Sequence, residues 1–422
     1  MHYLDESHIL IFLLQVLVLL GLAKTLSMLC EAVNIPAITG EILAGVFLGP
    51  TLFGWLAPDA QQWLFPNDQV QWTMLDTVSW LGVFFLLLSS GFHVDVGQAM
   101  KSGRAAVLIG IVGVLFPIAL GYPVFGTLDP IYWGEKANAV SFSLFLSVAG
   151  SITAISVVAR ALGDLKLSKT PQASLALSAC AVNDLFGWLL FTVVLSITSV
   201  HSTGMADLAF TVLGVIGFVA VTVVFGPRIL SSILKRVEAT SLPQPTASMT
   251  VIVSAGLFCG AVTQWLGIHA VLGFFLAGIM VGSAKGINER IPESISDTLH
   301  AIFVPLFFAT LGLKIDFFEG LMLWPTVIFS AVAIFGKLGG AWLGARLGKQ
   351  SPPTSLLMGL IFIPGGAMEI VVATLALELE LIGQVIFVAI VFGALLSSIL
   401  VGPLIGFQAR RMRLIRNITA AT

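Results

Sequence analysis

Apolar residues along this chain gather into thirteen runs, each long enough as a helix to reach across or most of the way across a hydrocarbon core of about 30 Å. The runs are 8–29, 35–56, 72–92, 104–126, 139–162, 171–199, 207–233, 248–266, 269–283, 298–315, 321–347, 354–377 and 382–406. Polar residues, prolines and glycines separate them, and the pattern predicts an all-α integral membrane protein. Spans 248–266 and 269–283 are parted by almost nothing, so periodicity alone allows either two helices or one bent segment.

Charge separates those two readings. With the N-terminus outside, seventeen of the 20 Lys and Arg residues fall on cytoplasmic ends: Lys24, Lys101, Arg104, Arg160, Lys166, Lys169, Arg228, Lys235, Arg236, Lys285, Arg290, Arg346, Lys349, Arg410, Arg411, Arg413 and Arg416. Acids such as Asp59, Asp68, Asp129, Glu319, Glu378 and Glu380 fall on external loops. Merging the two doubtful spans would carry later cations to the wrong side, so the positive-inside rule favours thirteen spans, N-out and C-in. Composition agrees: 57% of the 422 residues are hydrophobic and 10% charged, against about 25% charged in soluble proteins. The N-terminal acids Asp5 and Glu6 argue for a retained first span, not a signal peptide. Three cysteines in or beside apolar runs do not suggest a disulfide framework.

The chain also repeats itself. Ile35-Pro-Ala-Ile-Thr-Gly-Glu-Ile-Leu-Ala-Gly-Val-Phe-Leu-Gly49 aligns with Ile268-His-Ala-Val-Leu-Gly-Phe-Phe-Leu-Ala-Gly-Ile-Met-Val-Gly282, with identity at seven of the fifteen positions. Gly91-Phe-His-Val-Asp95 matches Gly312-Leu-Lys-Ile-Asp316, and Val157-Val-Ala159 matches Val371-Val-Ala373. Each pair lies seven spans apart. An odd offset gives the two halves opposite orientations, the build of secondary transporters with midplane sites. Chance similarity of Gly/Ala-rich helices does not explain three matches in one order.

The third match sets Gly150-Ser151-Ile152-Thr153 against Pro364-Gly365-Gly366-Ala367, both near the middle of their spans. Pro removes a backbone donor, and Gly weakens helix by about 1 kcal/mol relative to Ala. Spans 5 and 12 are therefore expected to break. Their freed carbonyls, with the Ser151 and Thr153 hydroxyls, suit a small cation, and the plainer alternative is a simple kink.

Four ionisable residues fall inside spans, where a charge costs at least about 2.5–3.5 kcal/mol: Glu41, Asp184, Lys337 and Glu369. Asp184 sits midway along span 6 beside Asn183. A carboxylate at that depth holds a dehydrated monovalent cation or a proton, not both. Lys337 is open to two roles, partner of Asp184 or stabiliser of carbonyl ends at the broken helices. Glu369 follows the break of span 12, at the positive end of newly started helix. Glu41 lines an entry or fixes packing.

With these residues the chain resembles the monovalent cation–proton antiporter superfamily, in particular its second branch of bacterial sodium/proton exchangers and glutathione-gated potassium efflux proteins. The marks are Pro36 to Pro50, Ser151 to Arg160, Asn183-Asp184, Phe303 to Phe308, Gly336-Lys337 and Gly365 to Glu369. The resemblance implies a thirteen-helix homodimer in a bacterial inner membrane, working in cation and pH homeostasis. It implies spans 5 and 12 as crossed broken helices, with Na⁺ or K⁺ exchanged for H⁺ at Asp184. It also implies a core at 104–199 and 321–406 that moves like an elevator against a scaffold at 1–100 and 205–318. Electrogenic members carry two adjacent aspartates. Here the first is Asn183, so one proton per cation is expected. No stretch reads as the nucleotide-binding domain usual in potassium efflux proteins, which favours sodium. No cofactor, nucleic-acid partner or enzymatic activity is expected. The other readings are a K⁺/H⁺ antiporter, a bile-acid-type sodium symporter, and a membrane subunit without transport of its own.

Overall fold

The structure is a computed structural model that describes residues 5–33, 35–94, 103–199, 205–267, 269–284, 288, 290–315, 320–412 and 414. Of the residues used above, Asp95, Lys101, Ile268, Lys285, Asp316, Glu319, Arg413 and Arg416 lie outside the described residues. The described chain is helical, and its one ladder contact is an isolated bridge between Trp133 and Ile382. Helices are what an apolar chain must form in lipid, since every backbone polar group then finds its partner within the segment.

The first half runs α1 (Glu6–Ala32), α2 (Ala37–Leu48), the short α3 (Phe53–Leu56) and α4 (Pro58–Leu64), then α5 (Gln69–Phe92), α6 (Gly103–Phe125), α7 (Ala139–Ala149), α8 (Ile155–Asp164) and α9 (Pro171–Ser199). The second half runs α10 (Met205–Glu238), α11 (Thr246–Trp265), α12 (Ala270–Ser283), α13 (Arg290–Thr298), α14 (Val304–Leu313), α15 (Leu323–Leu347), α16 (Pro352–Ile361), α17 (Gly366–Glu378) and α18 (Gln384–Arg411). A π-helical turn at Leu299–Phe303 joins α13 to α14. Among the described residues, ten helical stretches are long and apolar enough to cross a membrane, and α16 with α17 meets the same criterion only as a pair, bent by 48° at the break.

Each predicted run coincides with a helix or a helix pair. The doubtful boundary is a real turn: α11 ends at Trp265, Gly267 takes φ +80°, and α12 begins after His269. Polar residues mark the starts. Asp68 accepts from the Val70 and Gln71 amides, and Asn138 with Ser141 forms a reciprocal cap at α7.

The internal repeat has a spatial counterpart. A methyl group built on Gly45 of α2 would lie 2.7 Å from Gly312 Cα of α14, and one on Gly278 of α12 would lie 2.8 Å from Gly91 Cα of α5. The alignment pairs Gly45 with Gly278 and Gly91 with Gly312, so the two contacts are one helix crossing made twice. Side chains larger than hydrogen would force these backbones apart.

A third close contact joins α6 and α15. Gly336, Gly340 and Gly344 recur every four residues on α15, and built methyl groups would meet Pro117 Cα at 3.0 Å, the Val112 carbonyl at 2.8 Å and Ile109 Cα at 2.7 Å. Gly340→Leu is expected to cost more than the usual 1–3 kcal/mol of overpacking, since backbone is what it strikes. Thermal unfolding in detergent checks this against Gly402→Leu, where nothing lies within 4 Å of the added carbon. Equal losses in the two variants would refute the packing argument.

Large apolar side chains line the outside, among them Leu17, Trp265 and Phe407. Such a surface suits lipid, which gives apolar side chains no reason to turn inward.

Candidate ion site at the crossed helix breaks

The Gly and Pro clusters interrupt their helices. α7 stops at Ala149 and α8 restarts at Ile155, while α16 stops at Ile361 and α17 restarts at Gly366. The extended stretches between them meet. The Ala154 amide donates to the Pro364 carbonyl at 2.9 Å, and Thr153 Oγ1 donates to the Phe362 carbonyl at 3.0 Å. The Gly365 amide donates to Ser397 Oγ of α18 at 3.3 Å. Gly366 takes φ +55°, and a methyl group there would press on Ala154 Cβ at 2.7 Å, so glycine is required twice over. The crossing therefore uses backbone groups that the breaks set free.

Asn183 and Asp184, on α9, stand beside this crossing and are fully buried. The Thr153 amide donates to Asn183 Oδ1 at 3.1 Å. A backbone N–H can only donate, so the Asn183 oxygen faces the break and its Nδ2 points elsewhere. Nδ2 has no hydrogen-bond partner among the described residues, nor has either Asp184 oxygen. One helical turn on, buried Trp188 leaves its Nε1–H unpartnered as well. An ionised carboxylate sealed from water with no protein donor is strongly unfavourable. A proton or a cation removes that penalty, and this is the chemistry the arrangement offers.

Lys337 does not pair with Asp184 in this structure. Its Nζ lies 3.4 Å from Glu369 Oε2, and both residues are fully buried. Glu369 stands in the first turn of α17, where a carboxylate also meets the positive helix end. Its side chain folds back over Gly365, so a methyl group there would coincide with Glu369 Oε2. Gly365 thus makes room for the carboxylate as well as breaking the helix.

The other expected residues take smaller parts. Ser151 Oγ donates to the Val148 carbonyl at 2.7 Å, finishing α7. A methyl group built on Gly150 would lie 3.4 Å from Ala333 Cβ, an ordinary contact, so space alone does not require glycine there. Glu41 is buried on α2, which packs against α1 and α14, and it is not brought to the crossing. Ser397 and Trp188 are not among the residues that the sequence pattern singles out. A Ser397-Ser398 pair inside an apolar span and a Trp four residues after Asp184 are the available signals.

Crossed broken helices beside a buried acid, in a chain that repeats itself, are the build of a secondary transporter. The sodium/hydrogen exchanger transmembrane family matches residues 14–409, and the chain belongs to that family. Its members are transporters and not enzymes. The chain is 28% identical to the Na⁺/H⁺ antiporter NhaS4 of Synechocystis over 95% of its own length and 98% of that protein's. It is 28% identical to K⁺/H⁺ antiporter 1 of Saccharomyces cerevisiae and 27% identical to cation/H⁺ antiporter 18 of Arabidopsis thaliana. These matches cover 96% and 93% of the chain but 47% and 48% of the yeast and plant proteins, so the chain spans about half of each. The sodium proton antiporter MjNhaP1 of Methanocaldococcus jannaschii, in a structure at pH 8, shares the fold, with a TM-score of 0.72 at 15% identity over 96% of this chain and 99% of that one.

Proposed function

We propose that this protein exchanges a monovalent cation for a proton by alternating access, with Asp184 as the group that both compete for. The observation that carries this is a fully buried carboxylate with no hydrogen-bond partner among the described residues, set beside two crossed helix breaks. The cation would be held by Asp184, aided by the Thr153 and Ser151 hydroxyl oxygens and by carbonyls of the breaks. Asn183 serves as the brace that holds the first break, and Lys337 with Glu369 forms a neutral pair that keeps the lysine off Asp184.

Sodium is the preferred cargo in this reading. Relatives named as Na⁺/H⁺ antiporters include ones matched over nearly their whole length, and potassium is the second choice because a K⁺/H⁺ antiporter is also among the relatives. The protein works as a homodimer with thirteen spans, N-terminus outside, in a bacterial inner membrane. The distribution of Lys and Arg supports that orientation. A core at 104–199 and 321–406 carries the site past a scaffold at 1–100 and 205–318. The close α6–α15 contact keeps the core together, and the α2–α14 and α5–α12 crossings do the same for the scaffold.

The test of the cargo is exchange in proteoliposomes. A pH-sensitive dye inside the vesicles reports proton movement as sodium, potassium, lithium or rubidium is added. A proton signal for none of them would end the proposal.

One carboxylate at the site gives one proton per cation and no net charge moved. A membrane potential imposed without an ion gradient is therefore expected to drive no cation accumulation. Asn183→Asp adds a second acid next to the first, and accumulation should then follow the potential. Accumulation by the unaltered protein would show that a second group carries a proton.

A further inference from the structure

The half-helices that leave the crossing, α8 and α17, are counterparts in the repeat, through Val157-Val-Ala159 and Val371-Val-Ala373. They run to opposite ends of the bundle. The end of α17 is tied to the segment before α7, where Lys136 pairs with Glu380 at 3.1 Å and the Gly383 amide donates to the Tyr132 carbonyl at 3.0 Å. α7 starts from that end, and α8 continues away from it.

Each half-helix finishes beside charges on helices of the proposed scaffold, and the two ends differ. At the α8 end, Arg160 Nη2 donates to Glu31 Oε1 of α1 at 2.8 Å. At the α17 end, Glu378 and Thr374 line a cavity of about 120 Å³ together with Asp76 and Lys314 of the proposed scaffold. There Lys314 Nζ lies 2.9 Å from Asp76 Oδ1, both residues belonging to the proposed scaffold. Glu378 makes no ion pair with a described residue. Gln384 Nε2 of α18 already donates to the Lys314 carbonyl at 2.6 Å, so the proposed core and scaffold touch through backbone while these charges stand apart.

From this asymmetry we propose that Arg160–Glu31 and Lys314–Glu378 are paired gates of one exchange cycle, closed in alternation. In this structure the first gate is shut and the second is open. When the core moves, Arg160 leaves Glu31, and Lys314 passes from Asp76 to Glu378 within the cavity. These are positioning residues that touch no cargo. All of them are partly exposed, with Arg160 and Glu31 at 54% and 40% and Lys314 and Asp76 at 38% and 40%. Exposed ion pairs are weak, as a contact broken in every turnover must be. The inference rests on the alternating-access reading above.

Reciprocal crosslinking tests it. In protein with Cys30, Cys180 and Cys259 replaced by serine, one variant carries Glu31→Cys with Arg160→Cys and another carries Lys314→Cys with Glu378→Cys. A short bifunctional thiol reagent should join each pair, and each crosslink should arrest exchange. Changes in sodium or pH that raise one yield should lower the other. Yields that rise and fall together, a second pair that never joins, or a crosslinked protein that still exchanges would overturn the proposal. Crosslinking needs no transport, so a wrong cargo assignment would silence the flux assay and leave the reciprocity intact. Should the cysteine variants not fold, Arg160→Gln provides the second measurement. It should lower the half-saturating cation concentration several-fold from the α8 side and raise it from the other. The swap Glu31→Arg with Arg160→Glu should restore both values, and equal shifts from both sides would refute the gate.

Discussion

Asp184→Asn protein in sealed vesicles is expected to move no protons when any monovalent cation is added. The side chain keeps its size and one oxygen, so the crossing should hold its shape. What is lost is the group that can release a proton and accept a cation in its place. Loss of a proton-transfer group typically costs about 10²–10⁴-fold in rate, and among the described residues no other acid at the crossing lacks a partner. Glu369 is engaged with Lys337, and Glu41 lies on α2. The neutral amide also removes the penalty of a buried, unpartnered carboxylate, so the variant should unfold no more readily than the parent. An inactive, well-folded Asp184→Asn protein is the expected result. An active one would move the exchange site elsewhere.

The second large effect concerns stability. Lys337→Met removes a buried ammonium and leaves the Glu369 carboxylate sealed without a counter-charge. Breaking one side of a buried ion pair costs about 3–5 kcal/mol. Lys337→Met should therefore lower the thermal midpoint in detergent markedly. Adding Glu369→Gln should recover most of the loss, because neither partner is then an isolated charge. If the single variant matched the parent in stability, the contact between Lys337 and Glu369 would carry no weight. If the double variant were no better than the single, the loss would come from packing and not from charge.

The site is partly legible in the sequence. Asp184 stands out because an acid inside an apolar helix needs a reason, and Gly150 to Thr153 with Pro364 to Gly366 stand out because breaks fall at matching places in two repeats. Local chemistry acts at those positions: proline and glycine end helices wherever they are, and burial penalises charge in any fold. Lys337 is harder. Its charge is visible, but its partner is one of two acids far away in sequence, Asp184 or Glu369, and no periodicity chooses between them. Ser397 escapes a sequence reading because a serine in a membrane helix usually bonds its own backbone, as Ser397 and Ser398 both do to the Ala394 carbonyl. Only the approach of a broken helix gives Ser397 an amide to receive.

Taken alone, the sequence determined the helices, their breaks, the internal repeat and the presence of an acid inside an apolar helix. All of these follow from hydrophobic length, backbone chemistry and residue identity, which neighbouring segments do not alter. Tertiary structure alone decided which groups meet. It turned the Asn183 oxygen toward Thr153, gave Lys337 to Glu369, and left Asp184 without a hydrogen-bond partner among the described residues. It also paired Arg160 with Glu31 while placing Glu378 and Lys314 around one cavity. Those outcomes depend on how close two distant helices come. That spacing is set at glycine contacts such as Gly45 with Gly312, whose effect appears only once both backbones are in place.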